Sequence, residues 1–259
     1  MRFGVCFGFG TANVKTAADC GYDYIESNFG GIVRATEEEF KSFKAALVEN
    51  SITCEAANCF LPNELPPVGE NVDYDALRTY LHKGMSRSEE LGIKTVVFGS
   101  GKARAVPVGF PFGEAFKQLV SFLSDVVSPI ALDHGITVVT EPLRRFESNI
   151  INSGCEGAML AALADKPNIK CLVDLFHMSF CGDTNDTVRL LKGMLVHAHI
   201  SNPVDGSRDF PKAEDPFDYK SFIEALEFAG CPRCSVEAKT SDFATDAQLS
   251  IKLLRGLQQ

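Results

Sequence analysis

Four residues with acidic or imidazole side chains each end an apolar, strand-like run in the second half of the chain. They are Glu141, Asp174, His199 and Glu237, and successive members are 33, 25 and 38 residues apart. A strand plus the helix that returns to the next parallel strand takes roughly 30 residues. We therefore expect the four side chains to meet at one rim of a parallel barrel. Three carboxylates and one imidazole form an oxygen-rich set that suits a divalent metal ion.

Strand-like runs and helical segments alternate along the whole chain, which is typical of a parallel sheet covered by helices. Eight strands are predicted: Phe3–Phe7, Tyr22–Glu26, Ile52–Asn58, Thr95–Phe98, Thr137–Glu141, Cys171–Asp174, Val196–His199 and Ser235–Glu237. The length of 259 residues is close to the ~250 typical of an eight-stranded barrel. The pattern therefore predicts an α/β protein made of a single (β/α)8 TIM barrel over residues 1–259.

The segments between the strands have apolar residues at helical spacing, and Gly21, Gly92 and Gly135 lie shortly before strands, where helices must end. The longest predicted helices are Thr36–Asn50, Tyr74–Leu91, Phe112–His134, Asp218–Gly230 and Thr245–Leu257. Because Pro129 lies inside the third of these, we expect a kink or break near Val127–Ser128. The long connections follow the carboxyl ends of the strands, which form the active face of such barrels.

Composition and charge restrict the classes of function. With a net charge of −9 and a pI near 5.1, the chain lacks the excess of Lys and Arg with which proteins bind nucleic acids. No run approaches the ~18 apolar residues of a membrane span, and the first residues lack the apolar core of a signal peptide. We expect a cytoplasmic protein without a membrane segment. The nine cysteines, an odd number, are expected to be reduced.

Two of the strand ends have a second polar residue nearby in sequence, at a spacing that places both side chains on one face. His177 follows Asp174 by three residues, so both share one face if a helix begins there. His197 and His199 alternate along a strand and therefore point to the same side. A single histidine or carboxylate is more often structural than functional. Four consecutive strand ends with such residues favour a site.

With these spacings the sequence resembles the xylose isomerase-like barrels of the sugar isomerase, epimerase and endonuclease IV superfamily, particularly the tagatose/psicose 3-epimerase and hydroxypyruvate isomerase branch. The resemblance depends on a Glu-x-x-x-Arg-Phe-Glu stretch from Glu141, an Asp-x-x-His-Met stretch from Asp174, the His197/His199 pair and the late Glu237. It extends over essentially the whole chain and is strongest from Glu141 onward.

The resemblance implies a role for each of these positions. The implied metal ligands are Glu141, Asp174, His199 and Glu237. The implied substrate contacts are Glu147, His177 and Arg208. The assignment of Arg208 depends on how the variable loop Ser201–Phe217 is aligned. His197 and Arg145 are expected to support this set from behind.

Such a site is suited to moving a proton next to a carbonyl group. A divalent ion that bridges a carbonyl and a neighbouring hydroxyl acidifies the C–H bond between them and stabilises the resulting enediolate. Glu141 and Glu237, on opposite sides of the sugar, would remove the proton and return it. Return to the same carbon is epimerisation, and return to the next carbon is aldose–ketose isomerisation. Mn²⁺ is the first expectation for the ion, and Mg²⁺, Co²⁺ and Zn²⁺ also suit the donor set.

The first half of the chain departs from the epimerases. Lys102 and Arg104 lie on a glycine-rich loop after the fourth strand, and Ala103 takes the place of the Ser or Thr of a phosphate-binding loop. We expect the two cations either to contact the substrate or to brace Glu141 and Glu147. Asn58 and Glu26, at two other strand ends, are candidate polar contacts with the substrate.

Other functions remain open at the level of sequence. A metal-dependent lyase, dehydratase or epimerase acting on an inosose or a 3-keto-glycoside would use the same ligands, and a noncatalytic carbohydrate-binding subunit could retain them. DNA repair is disfavoured because the chain has five histidines and none on an early strand. The expected partner is a small sugar or keto-sugar, and a homo-oligomer is possible.

Overall fold

Eight parallel strands form a closed barrel in chain order, β1 to β8, and the computed structural model describes residues 1–258. The strands are β1 Arg2–Cys6, β2 Tyr24–Asn28, β3 Thr53–Asn58, β4 Thr95–Phe98, β5 Thr137–Thr140, β6 Ile169–Asp174, β7 Leu195–Ile200 and β8 Arg233–Val236. Pairing of β1 with β8, from Arg2↔Arg233 to Val5↔Val236, closes the ring. The predicted (β/α)8 barrel is confirmed.

Eleven α-helical segments within residues 1–258 cover the barrel or line its rim. They are α1 Val14–Cys20, α2 Phe29–Arg34, α3 Glu37–Glu49, α4 Tyr74–Leu91, α5 Phe112–Ser121, α6 Ser128–Asp133, α7 Gly154–Ala164, α8 Leu175–Cys181, α9 Asn185–Leu190, α10 Tyr219–Ala229 and α11 Phe243–Leu257. The observed bounds of α4 match the prediction. Gly92 ends α4 in the left-handed conformation, as predicted from the glycine before a strand.

The helix around Pro129 does not break, and it departs from regular α-helix directly before the place where the sequence predicted a kink or break. A π-helical stretch, Phe122–Val127, joins α5 to α6, and Ser128 keeps right-handed helical dihedral angles. Proline lacks an amide N–H and clashes with the carbonyl group four residues earlier. A wider π turn is a recognised way to accommodate such a disturbance within a helix.

One helix, Phe112–Asp133, is long and apolar enough to cross a membrane by length and composition alone. The expectation that no run approaches a membrane span was therefore wrong by that criterion. Half of its most apolar window is buried inside the protein, and its last part contacts β5 and α4. The helix thus packs as one of the outer helices of the barrel.

The interior of the barrel is layered from the amino ends of the strands to their carboxyl ends. At the amino ends Glu55 pairs with Arg2 and Arg233. Above this network the hydroxyl groups of Tyr24 and Ser235 lie 2.9 Å apart. The Tyr24 ring passes so close to Gly4 that any side chain at this position would clash with it. The carboxyl end is lined by acids and histidines, so the polar site rests on a packed interior.

Candidate active site

The four residues predicted from strand spacing come together at the carboxyl end of the barrel. Glu141 and Glu237 directly follow β5 and β8, Asp174 ends β6, and His199 lies within β7. One donor atom from each lies within 4.8 Å of all the others. Ligands on opposite sides of a divalent ion are separated by twice the ~2.0–2.6 Å metal–oxygen distance. The four side chains therefore have the composition and the spacing of a metal site.

His199 faces the three acids through one ring nitrogen and a fourth carboxylate through the other. Its Nδ1 atom is 3.1 Å from Glu237 Oε2, 3.3 Å from Glu141 Oε1 and 3.9 Å from Asp174 Oδ2. Its Nε2 atom is 2.9 Å from Oε1 of Glu26. With Nε2 as donor to Glu26, Nδ1 is the nitrogen that faces the acids and that would ligate a metal ion after losing its proton.

Glu26 joins the two histidines of β7. Its second oxygen, Oε2, lies 2.8 Å from Nε2 of His197, and all three side chains are fully buried. Both imidazoles point to one side, as predicted, and His197 contacts Glu26 and not His199 by hydrogen bond. Glu26 was predicted, from its place at a strand end, as a candidate substrate contact, and the structure instead places it fully buried behind His199. Its strand-end position was visible in the sequence, whereas its pairing with the two histidines was not.

Burial and charge oppose each other at these groups. Burial alone would lower the pKa of His199, but Glu26, Glu237 and Glu141 outweigh it and raise that pKa well above its usual value. Burial raises the pKa of Glu141. At Glu237 the effect of burial is outweighed by His199 and Arg208, which lower its pKa. The site therefore contains several buried acidic groups close together, and a bound cation would stabilise their charged forms.

Asp174 uses its two carboxylate oxygens differently, because it also caps the start of α8. Its Oδ1 atom accepts hydrogen bonds from the backbone N–H groups of Phe176, at 2.7 Å, and His177, at 3.3 Å. This leaves Oδ2 facing His199 and Arg208. The short helix brings His177 to the cavity, with Nε2 3.8 Å from Asp174 Oδ2. The predicted shared face of Asp174 and His177 is thus confirmed.

Arg208 reaches two of the acids from the variable loop. Its Nη2 atom lies 3.1 Å from Asp174 Oδ2 and also contacts Glu237 Oε2. The guanidinium stacks over Phe176, 4.8 Å from the ring centre. Burial opposes its charge, yet Asp174 and Glu237 raise its pKa. Arg208 therefore lines the same cavity as Glu237 and His177.

Glu147 lines the cavity and is held by Arg144, whereas the sequence predicted a supporting role for Arg145. Nε of Arg144 donates to Glu147 Oε1 at 2.7 Å, and the Arg144 backbone N–H donates to Nδ1 of His177 at 3.3 Å. Arg145 is exposed and its side chain contacts none of these groups in residues 1–258. The expectation that Arg145 supports the site was wrong, because the loop turns its side chain outward.

The two cations after β4 have separate positions. Lys102 is exposed and lines the cavity. Arg104 is fully buried, and its guanidinium donates to the carbonyl oxygens of Phe98 at 2.8 Å and Glu141 at 2.6 Å. Burial lowers the pKa of Arg104 to about 10. The structure contradicts substrate contact by Arg104 and supports the alternative that it braces Glu141.

A cavity of about 710 Å³ opens above the acids, within the ~300–1,000 Å³ range of small-molecule sites. Besides the residues already described, Asn58 lines it and donates through Nδ2 to Glu237 Oε1 at 3.0 Å. Gly99 also lines it, and a side chain there would clash with the Glu141 carboxylate. The cavity is thus surrounded by five of the residues that were predicted as substrate contacts: Asn58, Glu147, His177, Arg208 and Lys102.

Comparison with known proteins agrees with this architecture. D-psicose 3-epimerase of Agrobacterium fabrum (strain C58) is 34% identical over 74 residues, which are 28% of this chain and 26% of that protein. The aligned stretch therefore spans about a quarter of that relative.

Solved structures match over the full length. D-psicose 3-epimerase from Clostridium cellulolyticum H10 with D-tagatose has a TM-score of 0.85 at 17% identity and 100% coverage of both chains. The apo form of 3-keto-D-glucoside 4-epimerase from E. coli has a TM-score of 0.79 at 20% identity and 99% coverage of both. These similarities show the shared fold. A family model described as xylose isomerase-like TIM barrel matches residues 14–257, and the chain belongs to that family.

Proposed function

We propose that this protein is a divalent-metal-dependent epimerase or isomerase of a keto-sugar, with Glu141 and Glu237 as the acid/base pair. One observation carries the proposal. Two carboxylates from different strands approach the same nitrogen of His199, at 3.3 and 3.1 Å, and both line a sugar-sized cavity. Acids on two sides of one bound carbon can remove a proton and return it.

The residues present suit a resident metal ion. Glu141, Asp174, His199 and Glu237 would hold it, and three oxygens with one imidazole suit Mn²⁺, with Mg²⁺, Co²⁺ or Zn²⁺ as alternatives. When bound, the ion would supply a Lewis acid that polarises the substrate carbonyl. Glu26 orients His199 for this task through the 2.9 Å hydrogen bond at Nε2.

The remaining cavity side chains would bind and orient the sugar. Glu147 can accept hydrogen bonds from hydroxyl groups, while His177 and Arg208 can donate them. Asn58 restrains Glu237 through the 3.0 Å bond from its amide. Lys102 would contact the substrate at the rim. Proton return to the same carbon gives an epimer, and return to the adjacent carbon gives an aldose–ketose pair.

Proton transfer is tested by incubating the Mn²⁺-loaded protein in deuterium oxide with a panel of ketoses, inososes and 3-keto-glycosides. We expect NMR to show solvent deuterium at the carbon next to the carbonyl group for at least one of them. Exchange should fall by at least about a hundredfold in Glu141→Gln and Glu237→Gln. The exposed Glu114→Gln should behave like the wild type.

Absence of deuterium exchange with every sugar, in protein shown to contain the metal, would contradict the proposal. An ultraviolet-absorbing enone or diketone in place of an epimer would instead indicate a lyase. Sugar binding without either outcome would indicate a noncatalytic carbohydrate-binding protein.

A further inference from the structure

Arg208 contacts two of the four candidate metal ligands through a single nitrogen atom. Nη2 lies 3.1 Å from Oδ2 of Asp174 and also contacts Oε2 of Glu237. Within residues 1–258, Arg208 is the one arginine or lysine whose side chain contacts a carboxylate of this set. Because arginine stays charged at any physiological pH, two of the three acids have a permanent cation against them.

The oxygens that Arg208 contacts are the ones that remain for a metal ion. The other oxygen of Asp174, Oδ1, accepts from the backbone N–H groups that begin α8. The other oxygen of Glu237, Oε1, accepts from Nδ2 of Asn58 at 3.0 Å. Oδ2 and Oε2 are also the oxygens that face Nδ1 of His199, at 3.9 and 3.1 Å. A divalent ion held by these residues would therefore draw on the same two oxygens as the guanidinium.

The position of Arg208 is fixed by its backbone and by a stacked ring. Its backbone N–H donates to the carbonyl oxygen of Asn202 at 3.1 Å, and its carbonyl oxygen accepts from the N–H of Lys239 at 2.8 Å. These bonds hold a φ of 56°, in the left-handed region that residues other than glycine rarely adopt. The guanidinium stacks on Phe176. A substitution of the side chain leaves the two backbone hydrogen bonds in place.

Burial makes the contact between Arg208 and the acids strong. The side chains of Asp174, Arg208 and Glu237 are 1%, 16% and 22% exposed, so salt and water screen their charges little. Two cations that approach the same oxygens repel each other through this weakly screening surrounding. A guanidinium at Oδ2 and Oε2 therefore lowers the affinity of the set for a divalent ion.

We propose that Arg208 competes with the metal ion, because its guanidinium takes Oδ2 of Asp174 and Oε2 of Glu237, and that it thereby weakens metal binding. This inference rests on the proposed function, since it requires that the acids hold a divalent ion. With the ion on these oxygens, the guanidinium is left with the cavity that it lines, where the oxygens of a sugar are acceptors. Arg208 thus couples occupancy of the metal position to the availability of a donor for the substrate.

The test measures Mn²⁺ affinity and does not depend on turnover. Calorimetry at pH 7, on protein treated with EDTA and dialysed, compares the wild type with Arg208→Gln, which keeps a donor and removes the charge. We expect the Mn²⁺ dissociation constant to fall at least about tenfold. Arg208→Lys, which keeps the charge, should lie between the two. Loss of an arginine that only maintains the structure would weaken Mn²⁺ binding, so the sign of the change separates the two roles.

Arg144→Gln is the matched control. Arg144 stacks on the same ring of Phe176, at 4.7 Å from its centre against 4.8 Å for Arg208. It lines the same cavity but pairs with Glu147, which is not a candidate ligand. The substitution removes the same charge without freeing a ligand oxygen, and we expect it to change the dissociation constant by less than about threefold.

A second measurement applies if Arg208→Gln is less stable than the wild type. Removal of one partner from a buried ion pair leaves the other charge uncompensated, so the EDTA-treated variant should unfold at lower urea concentration. Saturating Mn²⁺ should then raise the urea midpoint more in the variant than in the wild type. An equal or smaller rise would count against the competition.

Unchanged or weaker Mn²⁺ binding by Arg208→Gln would overturn the inference. An equal gain in Arg144→Gln would also overturn it, since the general charge of the cavity would then explain the effect. Deuterium exchange in the wild type, with unchanged Mn²⁺ affinity in Arg208→Gln, would leave the proposed reaction intact and remove only the competition. Tighter binding by Arg208→Gln alone, without deuterium exchange in any sugar, would support the competition and contradict the reaction.

Discussion

Nε2 of His199 lies 2.9 Å from Oε1 of Glu26, and both side chains are fully buried inside the barrel. The hydrogen bond joins β7 to β2 across the barrel interior and leaves Nδ1 of His199 facing Glu141, Asp174 and Glu237. A carboxylate behind a ligating imidazole determines which nitrogen carries the proton and increases the basicity of the other. Glu26 thus orients His199, one of the four candidate metal ligands, through a hydrogen bond from behind.

Replacing Glu26 by Gln should weaken metal binding. The amide can donate as well as accept, so it no longer selects the Nε2-protonated form of His199. We expect the Mn²⁺ dissociation constant to rise about 10- to 100-fold, measured by calorimetry. Glu114→Gln, which removes an exposed carboxylate, should leave the constant unchanged. An unchanged affinity in Glu26→Gln would show that packing alone orients His199.

Metal binding should release protons at neutral pH. The surrounding carboxylates raise the pKa of His199 well above its usual value, so the imidazole is charged in the metal-free protein and must lose a proton to ligate. We expect the apparent Mn²⁺ affinity to increase with pH until the raised pKa is passed and then to level off. Calorimetry at pH 7 in buffers with different ionisation enthalpies should give about one proton released per ion. A value near zero would contradict this.

The raised pKa of His199 should also affect the folding stability of the metal-free protein. A group whose pKa is higher in the folded than in the unfolded chain stabilises the fold fully below its unfolded pKa, ~6.5 for histidine. That contribution decreases as the pH rises through the raised pKa of His199. We expect the free energy of unfolding of the EDTA-treated protein to fall above neutral pH. Saturating Mn²⁺ should reduce the fall, and urea titrations across a pH series would measure both.

Arg104 should matter for stability and Lys102 should not. The buried guanidinium joins the carbonyl oxygens at the ends of β4 and β5. Its loss removes the donor to the Glu141 carbonyl oxygen, whereas the Phe98 carbonyl oxygen keeps the backbone N–H of Glu141 at 3.1 Å. We expect Arg104→Leu to lower the free energy of unfolding by ~3 kcal/mol, measured by urea denaturation. Lys102→Ala, on the same loop, should change it by less than ~0.5 kcal/mol. Equal effects of the two substitutions would exclude the bracing role.

Two adjacent arginines offer a matched test of the loop after β5. Arg144 pairs with Glu147 and packs on Phe176, 4.7 Å from the ring centre, whereas Arg145 is exposed. We expect Arg144→Ala to raise KM for the sugar about tenfold, which corresponds to ~1.4 kcal/mol, with a smaller effect on kcat. Arg145→Ala should match the wild type. A larger effect of Arg145→Ala would show that the loop adopts another arrangement with sugar bound.

The barrel and the meeting of four acidic and imidazole side chains at its carboxyl end could be predicted because strand ends recur at the length of a βα unit, as with Asp174 and His199. Glu26 is separated from His199 by 173 residues in sequence, and only closure of the barrel brings them together. Whether Arg144 or Arg145 points toward the site depends on how the loop turns, and a sequence motif does not give that conformation. The burial of Arg104 could not be predicted either, since a glycine-rich loop can direct a cationic side chain inward or outward.

The site is complete only when the barrel has closed. Its four candidate ligands belong to consecutive strands, and pairing of β7 with β8 already places Glu237 beside His199. Glu26 of β2 and Asn58 of β3 reach His199 and Glu237 across the seam that the pairing of β1 with β8 closes. A partly folded chain whose first and last strands have not met can therefore gather the four candidate ligands but lacks the hydrogen bonds that orient two of them. Tight retention of a divalent ion would then distinguish completed barrels from open intermediates during refolding.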